Sequence, residues 1–421
     1  MDSITQATLG AAMGHAVLGK KMGNKAILVG AIAGTIPDLD VFSRLFLDHQ
    51  VYGLVYHRGI THSILFTFLA SPIFAWVSLK YYEQGWHKKW GVQAILAAWS
   101  LLFYLLILIG LGTGVYYSQN PIVIGLFSLF TLGLYPLSKT LKSGIDKRSQ
   151  IEYDIGFKDW TLMYFLAFLT HWVIDACTAY GTQIFEPFSR YRVAFNNISI
   201  VDPLYTVPMI IGLVAVFFAR KYQTQRFWNY LGISIASLYM ATTFYSKSIM
   251  NTVVADNLQQ QGIEFTEYIT YPTILNTVLW QTTVVTEDAY YYGTYSLLDE
   301  TPIIDFVKLP KNHALIEKYQ GEEYLDILLW FANGYYNLIE QPDGSITFNN
   351  LRFGMMGVPE NSTIPLNDRY IFRFKLTEKE GQFDVEEDRD MERINVGEMA
   401  STLWNRLKGK QVAHESTPTN Y

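Results

Sequence analysis

Up to about Tyr245 the chain is dominated by long apolar runs; from Ser246 onward polar and apolar positions mix, with many Asp, Glu and Tyr residues. The first part therefore reads as membrane-embedded and the second as soluble. Residues 4–19 and 26–36 read as two helices rich in Gly and Ala. Each is shorter than the roughly 20 residues of a spanning helix, so a tilted or partly inserted hairpin is expected. Gly10 with Gly14, and Gly30 with Gly34, have the small-xxx-small spacing that lets helix backbones approach closely in lipid. Longer apolar segments follow at about 63–79, 92–117, 121–137, 160–177, 204–219 and 228–245. Together they predict about six to eight membrane helices.

Basic residues sort these segments. Lys80, Lys88 and Lys89 follow the first long one, Lys139, Lys142, Lys147 and Arg148 the third, and Arg220, Lys221 and Arg226 separate the last two. Alternate loops are thus basic, which places them in the cytoplasm. The other face then receives Asp38, Asp40, His57, His62, the end of the helix bearing His171 and Asp175, and the loop 178–203. By parity, residues after Lys247 are extracytoplasmic as well. The expected organisation is a multi-pass α-helical membrane domain over 1–246, an extracytoplasmic α+β domain over 247–408 and a flexible tail over 409–421.

Within the soluble part, 277–298 alternates and then becomes Tyr-rich, which predicts paired strands. Residues 321–333 fit an amphipathic helix. Tyr335–Glu340 and Ser345–Phe353 read as a hairpin turned at Gln341-Pro-Asp-Gly344, and 369–376 as a further strand.

The net charge of -6, with no basic stripe, argues against nucleic acid as a partner. Cys177 is the lone cysteine and cannot form an internal disulfide; a small buried residue is the expectation. The N-terminus lacks a basic region before its apolar stretch, so it is not expected to be a cleaved signal.

Candidate chemistry lies in Pro37-Asp-Leu-Asp40, His57-Arg-Gly-Ile-Thr-His-Ser63 and His171-Trp-Val-Ile-Asp175. His171 and Asp175, four apart on a helix, point from one face about 40° apart and can grip one ion. His57 and His62, five apart, would splay by about 140° on a continuous helix, so they converge only if the chain is irregular there, as Gly59 allows. Thr61 is a candidate N-cap for the helix that follows. Asp38 and Asp40 are expected on one side of an extended segment. Singly, each is more readily structural than catalytic. Together, six ligand-grade side chains on one membrane face (Asp38, Asp40, His57, His62, His171, Asp175) carry desolvation costs that a divalent metal would offset. Nitrogen and oxygen ligands without thiolate suit zinc, manganese or magnesium alike and leave the number of ions open, with zinc the expected ion. A metal there would serve to activate water, with a free carboxylate among Asp38, Asp40 and Asp175 taking the proton and Arg58 steadying negative charge. Arg190 and Arg192 break the charge rule of the loops; they are candidate contacts for an anionic substrate, or anchors to lipid headgroups.

These motifs resemble the YdjM-like family of bacterial inner-membrane proteins described as metal-dependent hydrolases. The likeness rests on Met1-Asp-x-x-Thr5, the three motifs above, Ala179-Tyr-Gly-Thr-Gln183, Pro187-Phe-Ser189 and Asp202-Pro203, and covers roughly the first 210 residues. It implies a multi-pass bacterial inner-membrane protein with a His/Asp metal centre, and wider similarity to helical zinc-dependent phosphoesterases. Many relatives have His where this chain has Gln6, a poorer ligand; His15 lies about 13.5 Å further along the helix, too far for direct replacement.

Two functions follow. One is a membrane-integrated metallohydrolase acting on a phosphoester or ester, a lipid among the candidates, at the extracytoplasmic surface of the bilayer. The other is a non-enzymatic scaffold with a structural metal, whose C-terminal domain binds an envelope protein. Transport would need charged residues at mid-membrane depth, and apart from His15 the ionisable motif residues cluster at helix ends. His313 and His414 stand alone, so the soluble part offers no catalytic constellation of its own.

Overall fold

Asp2 caps the first helix, α1 (Ser3–Met22), accepting from the backbone N–H groups of Ile4 and Thr5, while the Thr5 hydroxyl donates back to its carboxylate at 2.6 Å. This gives the Met-Asp-x-x-Thr opening a local purpose. α2 (Lys25–Thr35) returns against α1. A Cβ on Gly10 would lie 2.4 Å from the Gly30 carbonyl oxygen, and one on Gly14 would lie 2.4 Å from that of Ala26. The glycine stripe expected for close packing is thus in backbone contact.

The computed structural model describes residues 1–89, 153–356, 369–379, 382–388 and 396–409. The chain divides into two compact units, Met1–Ser71 with Leu162–Tyr421, and Pro72–Thr161. After α2 come a 3-10 helix (Pro37–Phe46), the short α3 (Tyr52–Tyr56), a 3-10 turn (Ile60–His62), α4 (Ile64–Glu83), α5 (Phe157–Cys177), α6 (Pro203–Phe218) and α7 (Tyr222–Gln260). Among the described residues α4 and α5 are long and apolar enough to cross a membrane, and α2 with the 3-10 helix, bent by 45°, makes a third span if taken as one broken element. The expected segments 92–117 and 121–137 lie outside the described residues, as does the tail from 410.

Three local expectations are corrected. The segment bearing Asp38 and Asp40 is a 3-10 helix opened by Pro37, not an extended strand; proline's fixed φ suits a first helical position. Ser63, not Thr61, caps α4: its Oγ accepts from Phe66 N at 3.0 Å. The change of composition at residue 246 is not an element boundary either, because α7 continues to Gln260, its later turns covered by the C-terminal sheet through Met250, Val254 and Leu258 against Trp280 and Val284.

Beyond α7 stand two four-stranded antiparallel meanders, β1 (Glu267–Pro272), β2 (Leu279–Val285), β3 (Ala289–Ser296) and β4 (Val307–Pro310), then β5 (Tyr336–Glu340), β6 (Ile346–Met355), β7 (Tyr370–Lys379) and β8 (Gln382–Glu387), each sheet in sequence order. α8 (Glu323–Ala332) and the β5–β6 hairpin fall where the amphipathic and turn patterns place them, whereas β1, β4, β8 and α9 (Val396–Leu407) carry no expectation. The sheets are joined by the Gln281 side chain, whose amide exchanges hydrogen bonds with the Met355 backbone at 3.0 and 3.1 Å. Gly354 leaves room for it: a Cβ there would sit 2.0 Å from Gln281 Oε1.

One core cluster joins the two regions of the first unit. Val51 and Leu54, from the segment leading to His57, are buried with Leu325, Leu328, Phe331, Phe348 and Phe374 of the C-terminal fold. The candidate site is thereby tied to that fold by apolar burial as well as by chain connection.

Gly30→Val is expected to force α1 and α2 apart and cost about 1–3 kcal/mol, as overpacking does. Thermal unfolding in detergent measures it; an unchanged midpoint would show that the close approach is dispensable.

Candidate metal centre

A 3-10 helix turns three residues at a time, so Asp38 and Asp40 leave it on different faces. Asp38 Oδ1 reaches His62 Nε2 and His171 Nε2, both at 3.4 Å. Asp40 instead serves the 57–62 segment, with Oδ1 2.9 Å from His57 Nδ1 and Oδ2 2.7 Å from Arg58 N and 3.3 Å from His62 Nδ1. The irregularity that separates the two histidines spans Arg58, with φ of 58°, and Gly59, whose φ of -89° and ψ of -127° fall outside the helical and extended regions. His62 then enters from the following 3-10 turn, and His171 and Asp175 descend one turn apart from α5.

Asp38, His62, His171 and Asp175 each present one donor atom, all within 4.8 Å of one another. The two Nε2 atoms are 3.0 Å apart, and Asp175 Oδ2 lies 3.4 Å from that of His62 and 3.5 Å from that of His171. Tautomers follow from the other ring nitrogens. His171 Nδ1 is 2.7 Å from the Gly34 carbonyl oxygen, which can only accept; His62 Nδ1 faces the Asp40 carboxylate at 3.3 Å and, at 3.1 Å, the Thr61 hydroxyl, which donates to Asp40 and so is left to accept. With both Nδ1 atoms donating, both Nε2 atoms turn lone pairs toward each other, an arrangement that a cation between them would relieve. A shared proton could serve the two nitrogens, but it would leave the converging Asp38 and Asp175 oxygens unused. Asp175 Oδ2 is fully buried with no hydrogen-bond partner. The group could thus bind a metal ion, and its donor chemistry fits one.

The outer oxygen of Asp175 is the better supplied. Oδ1 receives the Met1 amino group, Gln6 Nε2 at 3.0 Å and Arg58 Nη2 at 3.2 Å. Gln6 also donates to the His171 carbonyl at 3.3 Å, and since both partners accept, its amide has one orientation. His15 lies elsewhere, buried against Tyr222. Arg58 is held by Thr178 Oγ1, the Gly181 carbonyl and the Tyr180 ring face, with its centre 5.0 Å from that ring.

His57 stands outside the four-donor group. Its ring packs 5.4 Å from that of Tyr180, and burial holds it below the usual imidazole range against the pull of Asp40. Arg190 is exposed and lies 3.7 Å from Glu186. Arg192 is buried: Nη2 donates to the Leu54 and His57 carbonyls at 2.6 and 2.9 Å, and its guanidinium stacks over Tyr180 and Trp330. Burial lowers its pKa, and burial together with the nearby Arg192 pushes Arg352 down to about 10.

Asp2, the glycine-paired hairpin, the Pro37 helix, the His57–Ser63 segment and the α5 pair occur in one ordered run, and the family model for the YdjM inner membrane protein matches residues 1–250. The chain belongs to the YdjM inner membrane protein family. An uncharacterized protein, YfhP of Bacillus subtilis (strain 168), is 29% identical over 136 residues, which is 32% of this chain and 38% of that relative. The chain thus matches well under half the length of that relative. No solved structure matches. The four donors of this YdjM-family chain all lie within the matched residues, and the two sheets lie beyond them.

Sequence reasoning treated Gln6 as a lost ligand and gave Gly34, Tyr180 and the Met1 amine no part. A glutamine amide or a main-chain carbonyl carries no sequence signature of its role, because any residue supplies the carbonyl. Replacing Gln6 with Leu removes a donor from Asp175 and is expected to weaken divalent-metal affinity about 10–100-fold. Metal titration of the detergent-solubilised protein reads this, and an unaltered affinity would deny Gln6 a positioning role.

Proposed function

We propose that this protein is a metal-dependent hydrolase integrated in the membrane, acting on a phosphoester or ester, with lipids among its candidate substrates. The observation that carries the reading is the convergence of two imidazole lone pairs and two carboxylate oxygens, one of them buried and without a hydrogen-bond partner. Zinc is the preferred ion. Five of the six donor separations, 3.0 to 3.5 Å, bracket the roughly 3.3 Å between donors of a tetrahedral shell with bonds of about 2.0 Å, and the sixth, between Asp38 and Asp175, is within 4.8 Å. When bound, such an ion supplies Lewis acidity, acidifying water and polarising a phosphoryl or ester oxygen.

The chain's own residues divide the remaining work. Asp38 is the ligand that reaches solvent, at 21% side-chain exposure, so the site opens on its side. Asp40 and His57 share a proton between Oδ1 and Nδ1, which gives the site a route for a proton to enter or leave. The Arg58 guanidinium, beside Asp175, steadies negative charge that develops on the substrate. Arg192 holds the carbonyls of Leu54 and His57, and the exposed Arg190 is left for headgroups or substrate.

The wider setting belongs to the same proposal: about six to eight helices crossing the bacterial inner membrane, a membrane domain over 1–246, and the site with the domain from 247 to 408 outside the cytoplasm. The complete burial of His62, His171 and Asp175 favours a second reading, a structural metal in a scaffold whose C-terminal domain binds an envelope protein.

Elemental analysis of the purified protein should find near-stoichiometric metal in the wild type and little in His62→Ala or Asp175→Ala. Hydrolysis of a chromogenic phosphodiester should fall at least about 100-fold in both. If no metal is retained and none binds on addition, the hydrolase reading fails; metal without turnover of any ester would favour the scaffold.

A further inference from the structure

A cleft of 210 Å³ lies beside the metal centre, between the Arg44–Arg58 stretch and the C-terminal sheet. One wall carries two guanidinium groups, Arg44 and Arg58. The other carries the aromatic rings of Phe372 and Phe374 from β7, with Leu54 and Tyr180 at the join. Arg58 is 3% exposed, and its Nε has no hydrogen-bond partner although its two terminal nitrogens are engaged. A buried, partly unsatisfied guanidinium lining a cleft is a ready contact for an anion.

The 3-10 helix explains what kind of anion. At three residues per turn, Asp38 and Arg44 share one face, and Leu39, Phe42 and Leu45 share another. The first face supplies a metal-site donor and a cleft cation; the second is solvent-exposed at 54%, 56% and 76%. An apolar ridge of this kind, on the 3-10 half of the bent pair that could span the membrane, suits the acyl region of a bilayer. A ridge so placed would set the cleft next to lipid on one side, with the metal centre on the other. Glu387 in its lining opposes a polyanion, so few negative charges are admitted.

We infer that the cleft binds a phosphate-bearing amphiphile taken laterally from the bilayer, with Arg44 and Arg58 on the phosphate and Phe372 and Phe374 against the apolar part. This rests on the proposed reaction at the adjacent centre and deepens it. The C-terminal sheet, which lies outside the family match, is then the part that selects the substrate.

The test is calorimetric binding to the full-length protein in detergent. Its probes are dihexanoyl phosphatidic acid, dihexanoyl glycerol and inorganic phosphate. The phosphatidic acid is expected to bind at least tenfold more tightly than either of the others, and Arg44→Gln and Phe372→Ala each to weaken it five- to twentyfold with metal content unchanged. Arg44 is exposed, so its variant should fold normally. Equal affinity for inorganic phosphate would remove the apolar wall from recognition, and equal affinity for the neutral glycerol would remove the arginines; either overturns the inference. Binding is read without turnover, so tight, arginine-dependent binding by a protein that hydrolyses no ester would overturn only the reaction.

Discussion

The buried carboxylate of Asp175 sets the terms for everything around it. An ionised carboxylate away from water is costly by several kcal/mol unless both oxygens are compensated. One oxygen gathers an amine, an amide and a guanidinium from three separate places, namely Met1, Gln6 and Arg58. The other faces the Nε2 atoms of His62 and His171 at 3.4 and 3.5 Å and has no hydrogen-bond partner. A cation at that point would compensate Asp175 and both imidazoles and find a further ligand in Asp38, so one ion would relieve three unfavourable placements at once. The α1–α2 contact through the glycines matters for the same reason, because it carries the Gly34 carbonyl to His171 and fixes which nitrogen faces inward.

A second constraint acts through apolar burial. Val51 and Leu54 belong to the core of the C-terminal fold, while Leu54 and His57 offer their carbonyls to Arg192. Tyr180 lies between the Arg58 and Arg192 guanidiniums and packs on Phe331, Phe353 and Phe372. The segment that delivers His57, Arg58 and His62 is thus clamped from above by the sheet as well as from below by the helices. Arg192, buried in this layer, is tolerated because its planar group stacks on rings and donates to main-chain oxygens, while Arg58 also pairs with the Asp175 carboxylate.

Much of this was legible in the sequence, for identifiable reasons. Helical spacing alone puts His171 and Asp175 on one face, and glycines four apart announce a close helix pair. The β5–β6 hairpin was readable because Gln341-Pro-Asp-Gly344 is a turn by its own chemistry. What failed was whatever depended on the backbone between elements. Proline at residue 37 starts a helix as readily as it sits in an extended chain, so the two aspartates were assigned to one side when they occupy two. The continuation of α7 past residue 246 was hidden because its exposed positions are polar there, and only the sheet packed on Met250, Val254 and Leu258 reveals its buried face. Gln6 looked like a defect because the sequence shows the side chain and not the acceptors waiting for it.

The backbone at Arg58 shows how the two neighbouring histidines come to differ. A non-glycine residue at φ of 58° costs on the order of 1 kcal/mol and persists only where its surroundings over-determine it. Here they do: its N–H is held by Asp40, its carbonyl accepts from Gln183, and its side chain is fixed by Thr178, Gly181 and Asp175. The bend lets His62 turn into the four-donor group while His57 stays on the cleft side, and both remain within reach of one aspartate. A regular helix through 57–62 would have sent the two imidazoles about 140° apart. With the bend, Asp40 orients both rings and leaves a single inward nitrogen, on His62, for the centre.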